Sequence, residues 1–285
     1  MPTGRALHYV FRIADRKKSA YFYREILGMK FLRHEEFQEA CGATCNGPYD
    51  GRWSKEMVGY GSEDTHFVIE LTYNYGVKSY EMGNDFQGIT IFSKSAFNNV
   101  KTKNWPVVSQ EGAFVKIACP DGYFFYIHDV DVSGDPVQMW SLSVTNLQKS
   151  IEYWNDLLEM PLMEKKDNYA VLCYKDSPNK CALRLVEIEE KINRGTYFGR
   201  TAFSCPAAEQ EGLQAKMEAA KQTILVPYIR LDTPGKQTVS VIILADPDGH
   251  EICFVEDEGF RKLSQIDPTA EEELDKAMAN DHSRD

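Results

Sequence analysis

Apolar and polar positions trade places along the chain in a pattern that occurs twice. The run ALHYVFRI at 6–13 is β-rich and closes on a polar turn at Ala14-Asp15, and VQMWSLSV at 137–144 closes in the same way on Thr145-Asn146. A helix is predicted after each. Ala20, Tyr23, Ile26 and Leu27 recur at helical spacing, with Gly28 suited to the stop, and Ile151, Trp154, Leu157 and Leu158 repeat the spacing. RKKSAYFYREILGM at 16–29 aligns with LQKSIEYWNDLLEM at 147–160, an offset of 131 residues. Pro120-Asp121-Gly122 precedes YFFYI and Pro247-Asp248-Gly249 precedes HEICFV, an offset of 127. Two different motifs repeated at almost one spacing point to tandem duplication.

Further strands are predicted at FVIELTYN (67–74), ITIF (89–92), FVKIA (114–118) and FFYIHDV (124–130). The PDG triplets read as hairpin turns, with Pro fixing φ and Gly tolerating positive φ. Each half also holds a weaker strand-then-helix start, GITIFSKSAFNNVKTKNW at 88–105 and RTAFSCPAAEQEGLQAKMEAA at 200–220. The pattern therefore predicts an α+β chain of four βαβββ-type units in two pairs, curled around clefts able to take a small ligand. The boundaries fall at an N-terminal domain over 4–130, a linker over 131–136 (DVSGDP), a C-terminal domain over 137–258 and an acidic, helical tail over 259–285. CNGPYDGRWSKEMVGYG at 45–61 lacks the spacing of a phosphate loop and reads as a lid or long connection beside the cleft.

The chain's 285 residues leave room for two ordinary domains. Its 43 acidic against 32 basic residues, a net charge of −11, argue against a nucleic-acid partner, since no basic patch is set apart to meet a phosphate backbone. No apolar run approaches the roughly 18 residues of a spanning helix, so a soluble chain without a membrane partner is expected. Seven cysteines, an odd number with no C-x-x-C pair and no secretory leader, imply no oxidised pairing and a reducing, intracellular, cytoplasmic setting. Basic residues among the first 18 keep a mitochondrial address as the alternative.

HYVFRIADRKKSAYFYREILGMK, IELTYNYG and the two PDG hairpins together resemble glyoxalase I and its relatives in the vicinal-oxygen-chelate superfamily, over about residues 4–260. The resemblance implies tandem glyoxalase-like domains and an enzyme of methylglyoxal detoxification. Such an enzyme isomerises the glutathione hemithioacetal of a 2-oxoaldehyde to S-lactoylglutathione through an enediolate stabilised by a divalent metal, Zn²⁺ or Ni²⁺. In that family each of two paired units gives one ligand from an early strand and one from a late strand. Carried over, the metal ligands are His8 and Glu70, with Glu70 also the catalytic proton carrier. Arg12 and Asn74, four residues beyond each, fall at glutathione-binding positions, and a spacing of four keeps each pair on one strand face. The second unit departs from the pattern with Gly88 and Tyr126, His128 standing two residues further on. The C-terminal half carries Met139, Arg184, Arg200 and Cys253 at the four positions. The metal site is thus incomplete by sequence.

The residues themselves leave alternatives open. A carboxylate in the middle of FVIELTY needs a metal, an arginine or a catalytic task, and an Arg12–Glu70 ion pair is the plain reading. His8 on a strand can simply donate to a backbone carbonyl, and Asn74 suits a turn. Arg184 and Arg200 either bind an anion or pair with Glu187 and Glu251; Cys253, bracketed by Ile252 and Phe254, reads as core. The rival to the enzyme is a catalytically degenerate glyoxalase-fold protein that binds a small molecule or a protein partner. A dioxygenase would need two histidines and a carboxylate, which these positions do not supply. A homodimer that completes the site is a further arrangement the sequence leaves open.

Overall fold

The computed structural model describes residues 4–174, 177–197, 199–231 and 238–283. The first unit is β1 (Arg5–Ile13), α1 (Arg16–Tyr21, continued by a π-helical turn Phe22–Ile26), β2 (Lys30–Phe37), β3 (Trp53–Gly59) and β4 (Val68–Asn74). The second is β5 (Phe86–Phe92), α2 (Lys94–Thr102), β6 (Val107–Glu111), β7 (Phe114–Ala118) and β8 (Phe124–His128). The third is β9 (Val137–Val144), α3 (Leu147–Ile151, continued by a π-helical turn Glu152–Leu157), β10 (Leu162–Lys165), β11 (Tyr169–Leu172) and β12 (Ala182–Glu187). The fourth is β13 (Arg200–Cys205), α4 (Ala207–Ala219), β14 (Thr223–Leu231), β15 (Val239–Ala245) and β16 (Glu251–Glu256), followed by α5 (Asp257–Leu263) and α6 (Ala270–Ala279). The polar turns start the helices as their sequence suggests. Asp15 accepts from Lys18 N at 3.1 Å and Asn146 from Lys149 N at 2.9 Å, and Gly28 ends the first helix at φ +72°. The 45–61 segment is not all connection, because its second part is β3, which pairs with β2 and β4.

The units pair differently from the expectation that each half closes its own cleft. One sheet runs β14-β15-β16-β13-β1-β4-β3-β2 and the other β10-β11-β12-β9-β5-β8-β7-β6, so the first unit joins the fourth and the second joins the third. The joints are the antiparallel pairs β1–β13 and β5–β9. The cause lies in the unit itself. Each unit leaves its first strand at an edge, and an edge strand carries a row of unpaired N–H and C=O groups that must find a partner. Within one half that partner is out of reach, because the two units stand on opposite sheets. The PDG aspartates help hold them there: Asp121 accepts from Ala14 N at 2.7 Å and from the Ser19 hydroxyl at 3.1 Å, and Asp248 accepts from Thr145 N at 3.1 Å.

The core lies between the sheets. Phe11 stacks on Tyr123 with centroids 3.8 Å apart, Phe67 stacks on Trp140 at 5.1 Å, and Trp140 meets Phe203 at 5.9 Å. These contacts join the two sheets, and the Phe67–Trp140 pair also joins the two halves of the sequence. The C-terminal tail returns to the first unit: Glu271 on α6 accepts from Phe31 N at 2.8 Å and Arg24 Nε at 2.7 Å, and Asp281 accepts from Tyr73 OH at 2.7 Å. No helix among the described residues is long and apolar enough to cross a membrane.

Beneath the tail, His34 of β2 lies 3.3 Å from Glu36 and 3.2 Å from Glu56. Burial opposes its charge, but the two carboxylates outweigh burial and push its pKa up to about 9. A folded-state value above the unfolded one stabilises the fold fully below about pH 6.5 and loses that contribution as pH rises through about 9. His34→Gln is therefore expected to cost about 1–3 kcal/mol at pH 6 and much less at pH 10, read from chemical denaturation at both pH values.

Candidate functional site

Strand alternation sends Tyr9, Phe11 and Ile13 into the inter-sheet core and His8, Val10 and Arg12 to the opposite face. There the β1/β13 sheet, α5 and the loop between β2 and β3 enclose a cavity of about 610 Å³. One side is charged, with His8, Arg12, Lys55, Glu70, Arg200 and Glu251, and the other is apolar, with Val239, Val241, Ile243, Val255, Phe260 and Leu263. The volume falls within the range of small-molecule sites, roughly 300–1,000 Å³.

His8 and Glu70 meet on this floor. Val10 lies opposite Glu70 in the β1/β4 register, and His8 Nε2 stands 3.4 Å from a Glu70 carboxylate oxygen. His8 Nδ1 lies 2.7 Å from Glu63, a buried carboxylate in the connection before β4 that also takes Arg33 NH2 at 2.5 Å, while Arg5 donates to the Glu63 backbone carbonyl. Burial alone would raise the Glu63 pKa, but Arg33, the His8 hydrogen bond and Arg5 together hold it below the ordinary carboxylate range. Glu63 thus orients the imidazole. Lys55, whose Nζ lies 2.9 Å from Glu35, brings a second charge to the floor; burial disfavours that charge, and Glu35 and Glu70 more than restore it.

The fourth unit faces the first across the floor. In its register Ala202 lies opposite Cys253, as Val10 lies opposite Glu70, so Arg200 corresponds to His8 and Cys253 to Glu70. Arg200 donates to Glu251 at 2.8 and 2.7 Å, to Ala43 O at 3.1 Å and to Thr44 Oγ1 at 3.2 Å. Cys253 is not core as its flanks suggest. Ile252 and Phe254 point inward, and alternation turns Cys253 to the cavity, where burial pushes its thiol up to about 11 against the lowering effect of Arg200.

Gly88, Tyr126, Met139 and Arg184, expected to extend the two sites within their own halves, lie on the other sheet. A Cβ on Gly88 would stand 2.6 Å from the Tyr126 ring, Arg184 rests over Tyr169 at 4.2 Å, and His128 stacks on Phe114 at 5.1 Å. Asn74 does not line the cavity. Its amide donates to Asn46 O at 3.1 Å and receives the Asn46 amide at 3.2 Å, which fastens the β2–β3 loop from below. Arg12 does line the cavity and packs under Gly47 of the same loop. That loop also departs from the expectation of unpaired thiols, since Cys41 and Cys45 are disulfide-bonded. The turn from Thr44 N to Cys41 O, 2.9 Å, brings their Cα atoms to 5.5 Å, within disulfide reach.

A divalent ion held by four side chains does not fit this donor set. Two bonds of about 2.05 Å at a tetrahedral angle place donors about 3.3 Å apart, and His8 with Glu70 meets that spacing. The third position, however, holds a guanidinium locked to Glu251, and the fourth holds a thiol kept protonated. No three His, Cys, Asp or Glu side chains among the described residues stand so as to hold one ion. The sequence pattern marks His8 and Glu70 but not Glu63 and Lys55, which sit in a polar connection and in β3, within the segment that reads as a lid.

The comparisons agree with this architecture. Residues 5–119 match the glyoxalase/bleomycin resistance protein/dioxygenase superfamily, and residues 146–263 match the C-terminal domain typical of glyoxalase domain-containing protein 4. Glyoxalase domain-containing protein 4 of Rattus norvegicus is 50% identical over 99% of this chain and 95% of its own length. A Caenorhabditis elegans protein named Glyoxalase 1 is 49% identical over 99% of this chain and 98% of its own. The crystal structure of a glyoxalase I variant from Zea mays superposes with a TM-score of 0.76 at 25% identity, covering 92% of this chain and 95% of that one. With half of its residues shared across nearly the whole length of such relatives, and with four βαβββ units in two sheets, the chain belongs to the glyoxalase family of the vicinal-oxygen-chelate superfamily.

Proposed function

We propose that the chain is a glyoxalase I-like isomerase that converts the glutathione hemithioacetal of a 2-oxoaldehyde to a 2-hydroxyacyl thioester in the cavity on the β1/β13 sheet. The observation that carries the reading is the convergence of His8 and Glu70, 3.4 Å apart, with Glu63 behind the imidazole. Glu70 takes the proton from the thiohemiacetal carbon and returns it to the neighbouring carbon. His8, aimed by Glu63, faces the oxygens that gain charge between those two transfers. Lys55 and Arg200 supply the fixed positive charge that stabilises the enediolate. Arg12 meets a glutathione carboxylate and the apolar wall covers the oxoaldehyde side chain. The named role of the Caenorhabditis elegans relative supports the same chemistry. One chain brings both halves to the site, so a second copy need not complete it.

The Arg200–Glu251 pair at the third ligand position favours one rival, a binding protein that holds the adduct without turning it over. An assay of thioester formation from methylglyoxal and glutathione, paired with calorimetric binding of an S-alkyl glutathione, separates the two. Turnover together with binding is expected. Binding without turnover would select the rival, and neither would sink the cavity assignment. Arg12→Gln is expected to raise KM about tenfold with kcat nearly unchanged, as loss of one charge-assisted contact made equally in ground and transition states requires.

A further inference from the structure

We infer that Cys41 and Cys45 form a thiol–disulfide exchange centre on the mouth of the cavity, with low-molecular-weight thiols and their disulfides as reaction partners. Both residues line the cavity and both are half-buried, so a small thiol can reach their sulfurs. The remaining cysteines are poor competitors. Cys119, Cys173, Cys181 and Cys205 are buried, and Cys253 is half-buried on the floor with its thiol pushed up to about 11. Thiol chemistry in this chain is therefore concentrated in one pair, and that pair stands beside a cation. Arg200 donates to Ala43 and Thr44, the residues between the two cysteines, and a guanidinium there eases formation of a thiolate.

The step balances with two small thiols as the reductant. A small thiolate attacks one sulfur of the pair, and the other cysteine leaves as a thiolate and takes up a proton. A second small thiol then attacks the mixed disulfide, leaving two protein thiols and one small-molecule disulfide. The reverse sequence, with a small-molecule disulfide as oxidant, restores the bond.

The exchange bears on the cavity because the pair closes the part of the β2–β3 loop that Arg200 holds. The same loop is tied to Trp53, whose indole donates to Glu39 O at 2.9 Å and whose ring stacks on Phe37 at 4.2 Å. The disulfide form keeps Ala43 and Thr44 on Arg200, and the dithiol form releases that restraint. Trp53 emission, taken as the difference between the wild type and Trp53→Phe because the chain holds four tryptophans, reports the change. The inference stands whether or not the cavity isomerises its ligand.

The test uses the full chain equilibrated in glutathione and glutathione disulfide mixtures from fully reduced to mostly oxidised, alkylated while folded and mapped by peptide mass spectrometry. Cys41 and Cys45 are expected to pass from alkylated to protected across the series, with a glutathione adduct on one of them at intermediate ratios. Cys119, Cys173, Cys181 and Cys205 are expected to label only after unfolding, and Cys253, half-buried with its thiol pushed up to about 11, more slowly than the reduced pair. Trp53 emission should shift over the same range and stay fixed in Cys41→Ser/Cys45→Ser. A pair alkylated in every mixture would overturn the inference, and so would a pair protected in every mixture.

Discussion

Glu70→Gln is expected to lower the rate of thioester formation by about 10²–10⁴-fold while KM moves little. The amide keeps the shape of the carboxylate and can still face His8, but it cannot carry a proton between two carbons. Its effect therefore falls on kcat, whereas that of Arg12→Gln falls on KM. Stability serves as the control. Gln is isosteric, the Glu63–His8 contact does not depend on Glu70, and Glu35, the larger of the two charges that uphold Lys55, stays in place, so the melting temperature should stay within a few degrees of wild type. Equal rates for wild type and variant would remove Glu70 from the chemistry and favour a binding role. A large fall in melting temperature would point to Glu70 as a structural partner of His8.

The strands and helix starts that could be read in the sequence are those with strong local signals. β9 falls on the predicted 137–144, and β4 within the predicted 67–74, because Trp140, Leu142 and Val144 alternate with serines in the one and Val68, Ile69, Leu71, Thr72 and Tyr73 cluster in the other. β10 and β14 escaped notice: Leu162–Lys165 is exposed along its length, and Thr223–Leu231 mixes Pro and Arg with its apolar positions at a sheet edge. The pairing of units was not legible for a different reason. Sequence periodicity describes a strand's two faces, but which edge a strand meets depends on contacts such as Asp121 to Ala14, which no pattern of apolar positions encodes. The PDG motif reads as a turn, and it is one, yet its aspartate also ties one unit to the next across the two sheets.

The candidate site was half legible for the same reason. His8, Arg12 and Glu70 stand out because polar residues interrupt apolar strands, and such interruptions carry a cost that marks them. Glu63 lies in the polar stretch Gly61-Ser62-Glu63-Asp64, where an acidic residue raises no question until its burial is seen. Sequence position places Arg200 and Cys253 in the C-terminal half's own cleft, and only the β1–β13 joint brings them opposite His8 and Glu70. Asn74 occupied the right face by spacing, but the β2–β3 loop covers it.

Arg33→Met is expected to destabilise the fold by about 3–5 kcal/mol, because it leaves the Glu63 carboxylate buried with less of its compensating charge. The pH dependence follows from the direction of the Glu63 shift. A carboxylate held below its unfolded value contributes stability above about pH 4.3 and loses it as pH falls through the folded-state value. The gap between wild type and Arg33→Met should therefore be widest near pH 7 and narrow toward pH 3, where the variant's carboxyl takes up a proton and ceases to need a partner. Chemical denaturation at both pH values measures this. Arg33→Met/Glu63→Gln, which removes the charge along with its partner, should recover most of the lost stability, since a buried pair replaced by neutral groups is often close to neutral in effect. The double variant should not recover turnover, because a neutral amide in place of the Glu63 carboxylate would no longer hold the imidazole between two carboxylates. A pH-independent loss in the single variant would assign Arg33 to packing alone, through its contact with the Phe260 ring at 5.9 Å.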